Sequence, residues 1–139
     1  MGLLDKLFGK KKDDDLDQAE VDAHHAAEVA PPPSESWDVA SHSIDVSTLK
    51  GRLESGEELM LIDVRELWEF NSGNIPGSIN IPLSELGIMV RDLDPSKPYV
   101  TVCAMGIRSL DAAYLLSTHG FEDVKSLTGG MNAWRQAES

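Results

Sequence analysis

From residue 37 onward, short apolar runs alternate with segments of helical periodicity. Residues 59–64 form a compact apolar run of strand length, as expected for a strand that is buried on both faces. Residues 99–103 are rich in types that favour strands. Because strands alternate with helices through connections that do not suit a purely hairpin topology, the pattern predicts an α/β domain with a mainly parallel sheet.

Local signals place the other elements. Ser47 is predicted to cap a helix that stops before Gly56. The aromatic residues Trp68, Phe70 and Trp134 are expected to pack in the interior. A helix that begins at Ser109 and ends at Gly120 is expected to turn inward Leu110, Ala113, Tyr114 and Leu116. The helix that Ser47 caps covers 48–55, further helical segments are predicted at 66–71, 84–90 and 131–136, and strands are predicted at 79–81 and 121–127.

The segment before residue 37 differs in composition from the rest. The chain has 139 residues, with 12 Lys and Arg against 24 Asp and Glu, which gives a net charge of −12. Residues 1–12 carry +3, residues 13–36 carry −8 and contain three consecutive prolines, and residues 37–139 carry −7. We therefore predict a basic amphipathic tip at 1–12, an acidic disordered linker at 13–36 and a folded domain at 37–139.

The charge and the apolar pattern exclude several functions. A chain this acidic is unsuited to binding nucleic acid and is repelled by anionic membranes. Residues 1–12 have the spacing of a short amphipathic helix, but such a helix is marginal alone, so we favour a frayed tail without membrane contact.

No apolar run is long enough to span a membrane and no signal peptide is evident, so we expect a cytoplasmic protein. His24 and His25 lack spaced partner ligands, so we expect no metal site.

The lone cysteine, Cys103, carries the candidate chemistry. One cysteine excludes an internal disulfide and the paired-cysteine zinc motifs. Cys103 falls between a predicted strand and a helix, where backbone N–H groups and the helix dipole would stabilise a thiolate. Gly106 allows a tight turn and Arg108 supplies a planar cation suited to an oxyanion. Position alone also suits an inert core thiol, and Arg108 could instead pair with a surface carboxylate, but the combination in one short loop favours function.

Four ordered segments resemble the rhodanese family and together span most of residues 44–136. They are LIDVRE at 61–66, GNIPGSINIP at 73–82, CAMGIRS at 103–109 and LTGGMNAW at 127–134. The resemblance implies a single rhodanese domain, with a parallel sheet flanked by helices on both faces and with no metal or organic cofactor. It further implies that Cys103 is the nucleophile and that loop N–H groups hold its persulfide, with Arg108 helping to fix an anionic donor. The loop residues concerned are Ala104, Met105, Gly106, Ile107, Arg108 and Ser109.

The resemblance also implies the reaction, which is transfer of a sulfane sulfur from thiosulfate or a persulfide to a thiophilic acceptor. The expected partners are small sulfur donors, thiol acceptors and a persulfide-carrying protein. Asp63 and Arg65 are interpreted as bracing loops near the site, and Asn74, which replaces the family's histidine, as a structural change without loss of activity. Because Arg108 is the loop's only cation in an acidic domain, we expect thiosulfate to be a poorer donor than a persulfide.

Two other functions stay open at this point. The first is a non-catalytic interaction module with the rhodanese fold, although the joint presence of Cys103, Gly106 and Arg108 weighs against it. The second is a cysteine-dependent phosphatase or arsenate reductase, since related folds carry these activities. The loop from Cys103 to Arg108 has the form C-x4-R, whereas the related phosphatases have a longer C-x5-R loop that admits a tetrahedral phosphate. The shorter loop favours sulfur transfer.

Overall fold

The computed structural model describes residues 37–138, which are built around a five-stranded sheet with all strands parallel. The spatial order is β1-β5-β4-β2-β3, with β1 Ser43–Ile44, β2 Met60–Asp63, β3 Ile79–Asn80, β4 Tyr99–Val102 and β5 Val124–Leu127. Parallel neighbours need crossover connections, and helices supply them. These helices are α1 Val46–Glu54, α2 Leu67–Asn71, α3 Leu83–Met89 and α4 Arg108–Thr118, and α5 Gly130–Glu138 follows β5.

The sheet is covered on both faces, which explains the uninterrupted apolar runs. Ile62 and Tyr99 point to one face, into a core shared with α3 and α4. Leu61 and Val100 point to the other face, into a core shared with α1 and α5. Each fully buried large apolar side chain of these cores stabilises the fold by about 1.5–3 kcal/mol. The predicted α/β fold, with a parallel sheet between two layers of helices, is confirmed.

Three local predictions were wrong. Asp45, not Ser47, caps α1: its carboxylate accepts a hydrogen bond from the backbone N–H of Thr48 at 2.7 Å, which lowers the pKa of Asp45. Trp68 is 72% exposed, because α2 is a five-residue helix without a buried residue. In α4, the predicted inward residues Ala113 and Leu116 are buried and Tyr114 packs against the core, but Leu110 is only half-buried, and the buried face also includes Ser109, Ala112 and Leu115.

The buried face of α4 is wider than the predicted apolar face because it includes Ser109, which faces the sheet. The hydroxyl of Ser109 lies 2.6 Å from that of Ser126 on β5, and its carbonyl accepts a hydrogen bond from the Thr101 hydroxyl on β4 at 2.8 Å. These polar contacts fix the rotation of the helix, and an apolar pattern could not predict them. The two-residue strand β1 also has no signal of its own in the sequence.

The predictions made for residues 1–36 lie outside the described residues, and the proposed domain boundaries stay a prediction. Within the part of the chain that is described, no helix has both the length and the apolar character needed to cross a membrane.

Candidate functional site

The loop that leaves β4 forms a small pocket around Cys103. Cys103 directly follows the last residue of β4, and Arg108 begins α4. The residue is only 1% exposed, so its sulfur lies at the base of the pocket and not on the surface. The pocket has a volume of about 250 Å³ and is lined by Cys103, Ala104, Met105, Ile107 and Arg108.

The sulfur of Cys103 is surrounded by hydrogen-bond donors from its own loop. The backbone N–H groups of Gly106 and Ser109 point to Sγ at 3.0 and 3.3 Å. The hydroxyl of Ser109 lies 3.4 Å from Sγ and accepts from the thiol. Backbone N–H groups aimed at the sulfur, together with the N-terminal end of α4, stabilise negative charge that develops on it during a reaction. The arrangement can therefore hold a nucleophilic or sulfur-loaded anion.

Gly106 is required by this turn. Its φ of +95° lies in the left-handed region, which turns its N–H toward the sulfur. A Cβ at this position would also lie 2.9 Å from the backbone nitrogen of Gly129, so the loop is packed directly against the segment after β5. A side chain at position 106 would strain the backbone and displace the loop.

The first turn of α5 holds the outer side of the loop. The backbone N–H groups of Met131 and Asn132 donate to the carbonyls of Cys103 and Ala104 at 2.8 and 3.0 Å. A Cβ at Gly130 would clash with the carbonyl oxygen of Cys103 and lie 2.7 Å from the carbonyl carbon of Ala104. Because α5 binds the carbonyls of the loop on one side, the loop is held with the N–H groups of Gly106 and Ser109 facing the sulfur on the other. Two consecutive glycines directly after a strand are the sequence feature that indicates such a close backbone approach.

Arg108 is paired with a carboxylate, which is the alternative that the sequence left open. Its Nη1 and Nη2 donate to Oε1 and Oε2 of Glu69 at 3.0 and 3.1 Å. The hydrogen bonds from Arg108 lower the pKa of Glu69, and those to Glu69 raise the pKa of Arg108. The side chain of Glu69 is 17% exposed and that of Arg108 37% exposed. Sequence reasoning missed Glu69, since the two partners are 39 positions apart and no local pattern joins them.

A second pair, Asp63 and Arg65, lies at the same edge of the sheet, where β2 ends. Arg65 Nη2 and Nε donate to the Asp63 carboxylate at 2.8 and 2.9 Å, and Nη2 also donates to the carbonyl of Gly73 at 2.7 Å. The side-chain amide of Asn80 donates to the backbone carbonyls of Asp63 and Arg65. These contacts tie the residues after β2 to the segment before β3 and to the last residue of β3, and the ion pair itself is buried.

Asn74, at the position of the family's histidine, is exposed, and its side-chain amide donates to the carbonyl of Phe70 at 3.0 Å. It therefore binds the C-terminal end of α2.

The rim of the pocket is apolar. Met105 and Ile107, in the loop itself, are 64% and 68% exposed. Both residues also line the pocket, and we refer to Met105 and Ile107 as the apolar rim. Exposed large apolar side chains grouped near a pocket indicate a surface that other molecules contact.

Comparison with known proteins agrees with this geometry. The family model for the rhodanese-like domain matches residues 45–137. YtwF of Bacillus subtilis is 40% identical over 91 residues, which cover 66% of this chain and 87% of that protein. The thiosulfate sulfurtransferase GlpE of Shewanella oneidensis is 35% identical over 88 residues, covering 63% and 87%. The human single-domain sulfurtransferase TSTD1 superposes with a TM-score of 0.63 at 29% identity, covering 70% of this chain and 98% of that one. The chain belongs to the rhodanese-like domain family.

Proposed function

We propose that this chain, a rhodanese-type sulfurtransferase, moves a sulfane sulfur from a donor to a thiophilic acceptor through a persulfide on Cys103. The observation that carries the proposal is the convergence of two backbone N–H groups on Cys103 Sγ at the base of a pocket. Thiosulfate or a persulfide is the donor. A thiol, cyanide or a persulfide-accepting protein takes the sulfur away.

In the first half-reaction, the Cys103 thiolate attacks the sulfane sulfur of the donor. A bond forms between Sγ and that sulfur, and the bond between the sulfane sulfur and the rest of the donor breaks. The leaving group, a thiolate from a persulfide or sulfite from thiosulfate, departs with the electron pair. No external oxidant or reductant is needed, because the oxidation level of the transferred sulfur travels with it.

In the second half-reaction, the acceptor attacks the outer sulfur of the Cys103 persulfide. The new bond joins the acceptor to the outer sulfur, and Cys103 leaves as a thiolate with the electron pair. The N–H groups of Gly106 and Ser109 stabilise the leaving thiolate, since they already lie at 3.0 and 3.3 Å from Sγ. The same donors therefore serve both half-reactions.

The loop supports this function over the two alternatives. A non-catalytic module has no need of a buried thiol that accepts two backbone hydrogen bonds. A phosphatase needs a free cation to hold a transferring phosphoryl group, whereas the guanidinium of Arg108 is bound to Glu69 through both terminal nitrogens. The buried, compact loop favours transfer of a single sulfur atom.

Intact mass measurement after incubation with a sulfane-sulfur donor tests the proposal. We expect the wild-type chain to gain the mass of one sulfur atom and to lose it again when cyanide is added. The assignment is unambiguous because Cys103 is the only cysteine of the chain, and Cys103→Ser is the matched control. A chain that gains no sulfur from thiosulfate or from glutathione persulfide, or a Cys103→Ser variant that still gains it, would contradict the proposal.

A further inference from the structure

We propose that Glu69 determines the donor specificity of the Cys103 pocket by occupying the guanidinium of Arg108, so that the site favours persulfides of uncharged thiols over thiosulfate. This inference rests on the sulfurtransferase function proposed above and adds a residue and a substrate class to it.

The geometry of the ion pair carries the inference. Among the described residues that line the pocket, Arg108 alone is charged. Its two terminal nitrogens are the groups that would hold two oxygens of an oxyanion side by side. Both nitrogens are already bound to the two oxygens of Glu69, at 3.0 and 3.1 Å. An oxyanionic donor therefore meets a neutralised cation and a fixed negative charge.

Glu69 is held in place by a second interaction, so a donor cannot easily displace it. Its Oε1 also accepts a hydrogen bond from the backbone N–H of Glu66 at 2.9 Å, as part of the capping box of α2. Its side chain is 17% exposed. Moving the carboxylate away would break the ion pair and the helix cap together.

The apolar rim supplies what an uncharged donor needs. Met105 and Ile107 flank Gly106 in the sequence of the loop, and both are mostly exposed. A persulfide carried on an apolar group would cover part of this surface, and burial of apolar area is favourable. Thiosulfate has no such group, since its sulfane sulfur is attached to a second sulfur atom that carries three oxygens. The neutralised cation and the apolar rim therefore act in the same direction.

The test compares two donors in wild type and in Glu69→Gln. Glutamine removes the negative charge but keeps an oxygen for the capping box, so the variant is expected to fold. We expect kcat/KM for thiosulfate to rise about tenfold, mainly through a lower KM, as a charged partner becomes available to the donor. With the persulfide of N-acetylcysteamine, which carries no charge on its organic part, we expect kcat/KM to stay within about twofold, since burial of apolar area is unchanged.

Three further variants separate specificity from general effects. Glu122→Gln removes the same charge from an exposed position just before β5, where the strands begin and not where Cys103 lies, and should leave the donor preference unchanged. Glu69→Asp keeps the charge and should retain the preference for the persulfide. Glu69→Gln combined with Arg108→Gln should lose the gain with thiosulfate. If Glu69→Gln does not fold, Glu69→Ala serves in its place and must lower the KM for thiosulfate.

The inference is wrong if Glu69→Gln leaves the KM for thiosulfate unchanged, or if both donors change in parallel, which would indicate a structural role. It is equally wrong if Glu122→Gln produces the same gain, because net charge would then be the cause. Failure of the proposed function is distinct from these results, since wild type would then gain no sulfur from either donor.

Discussion

Two arginine–carboxylate pairs lie at the same edge of the sheet, and their environments differ. Asp63 and Arg65 are two positions apart, with side chains that are 1% and 3% exposed. Glu69 and Arg108 come from different helices, α2 and α4, and their side chains are 17% and 37% exposed. The first guanidinium also binds the carbonyl of Gly73, whereas the second lines the pocket of Cys103.

The difference shows that burial, and not the identity of the charged groups, decides what an ion pair does. Removing one partner of a buried pair leaves an uncompensated charge in the interior, so such a pair is retained and acts as a structural brace. A partly exposed pair contributes only about 1 kcal/mol or less to stability, so the fold does not depend on it. The pair of Asp63 and Arg65 therefore holds the loop after β2, and the pair of Glu69 and Arg108 is available to control what binds.

The largest expected effect follows from breaking the buried pair. Asp63→Asn should lower the free energy of unfolding by about 3–5 kcal/mol, because Arg65 would keep its charge in the interior without a carboxylate partner. Chemical denaturation measures this loss. Asp123→Asn is the matched control: the same substitution breaks a more exposed pair with Lys125, at 3.3 Å, and should cost less than about 1 kcal/mol. Equal losses in the two variants would contradict the comparison.

A smaller effect is expected for the pair at the pocket. Arg108→Gln should lower the free energy of unfolding by about 1 kcal/mol or less, since the side chain of Arg108 is more than one third exposed. A double-mutant cycle with Glu69→Gln should give a coupling energy of about the same size. A coupling energy as large as the loss caused by Asp63→Asn would mean that both pairs are structural.

The smallest effect is a dependence on pH. The pKa of Glu69 is lowered in the folded state from its ordinary value of 4.5, chiefly by the hydrogen bonds from Arg108. The folded state therefore binds fewer protons than the unfolded state. The stabilisation is fully present above the unfolded pKa and is lost as the pH falls through the folded pKa. The difference in unfolding free energy between wild type and Glu69→Gln should be constant near neutral pH and shrink in acid. A difference that does not change with pH would show that the charge of Glu69 contributes nothing.

Predictions from the sequence were most accurate where one segment contains all the relevant residues. The strand, the cysteine, the glycine and the arginine of residues 99–108 lie within one short stretch, so the loop and the position of Cys103 at the end of a strand could be predicted from order and spacing. The cap of α1 was misplaced by two positions, because Asp45 and Ser47 are both good capping residues and only the backbone geometry selects between them. The exposure of Trp68 could not be predicted, because a five-residue helix has too few positions for an apolar face to be recognised.

The amino-acid sequence by itself determined the alternation of strands and helices, and hence the parallel sheet, the position of Cys103 at the end of a strand and the acidic character of the chain. These features depend on periodicity, propensity and charge, which are local or additive. Only the tertiary structure decided which carboxylate binds Arg108 and which helix binds the outer side of the loop. Glu69 approaches Arg108, and α5 approaches Cys103, because the parallel strands bring distant loops to one edge of the sheet. Contacts of that kind depend on the assembled fold, and no single segment encodes them.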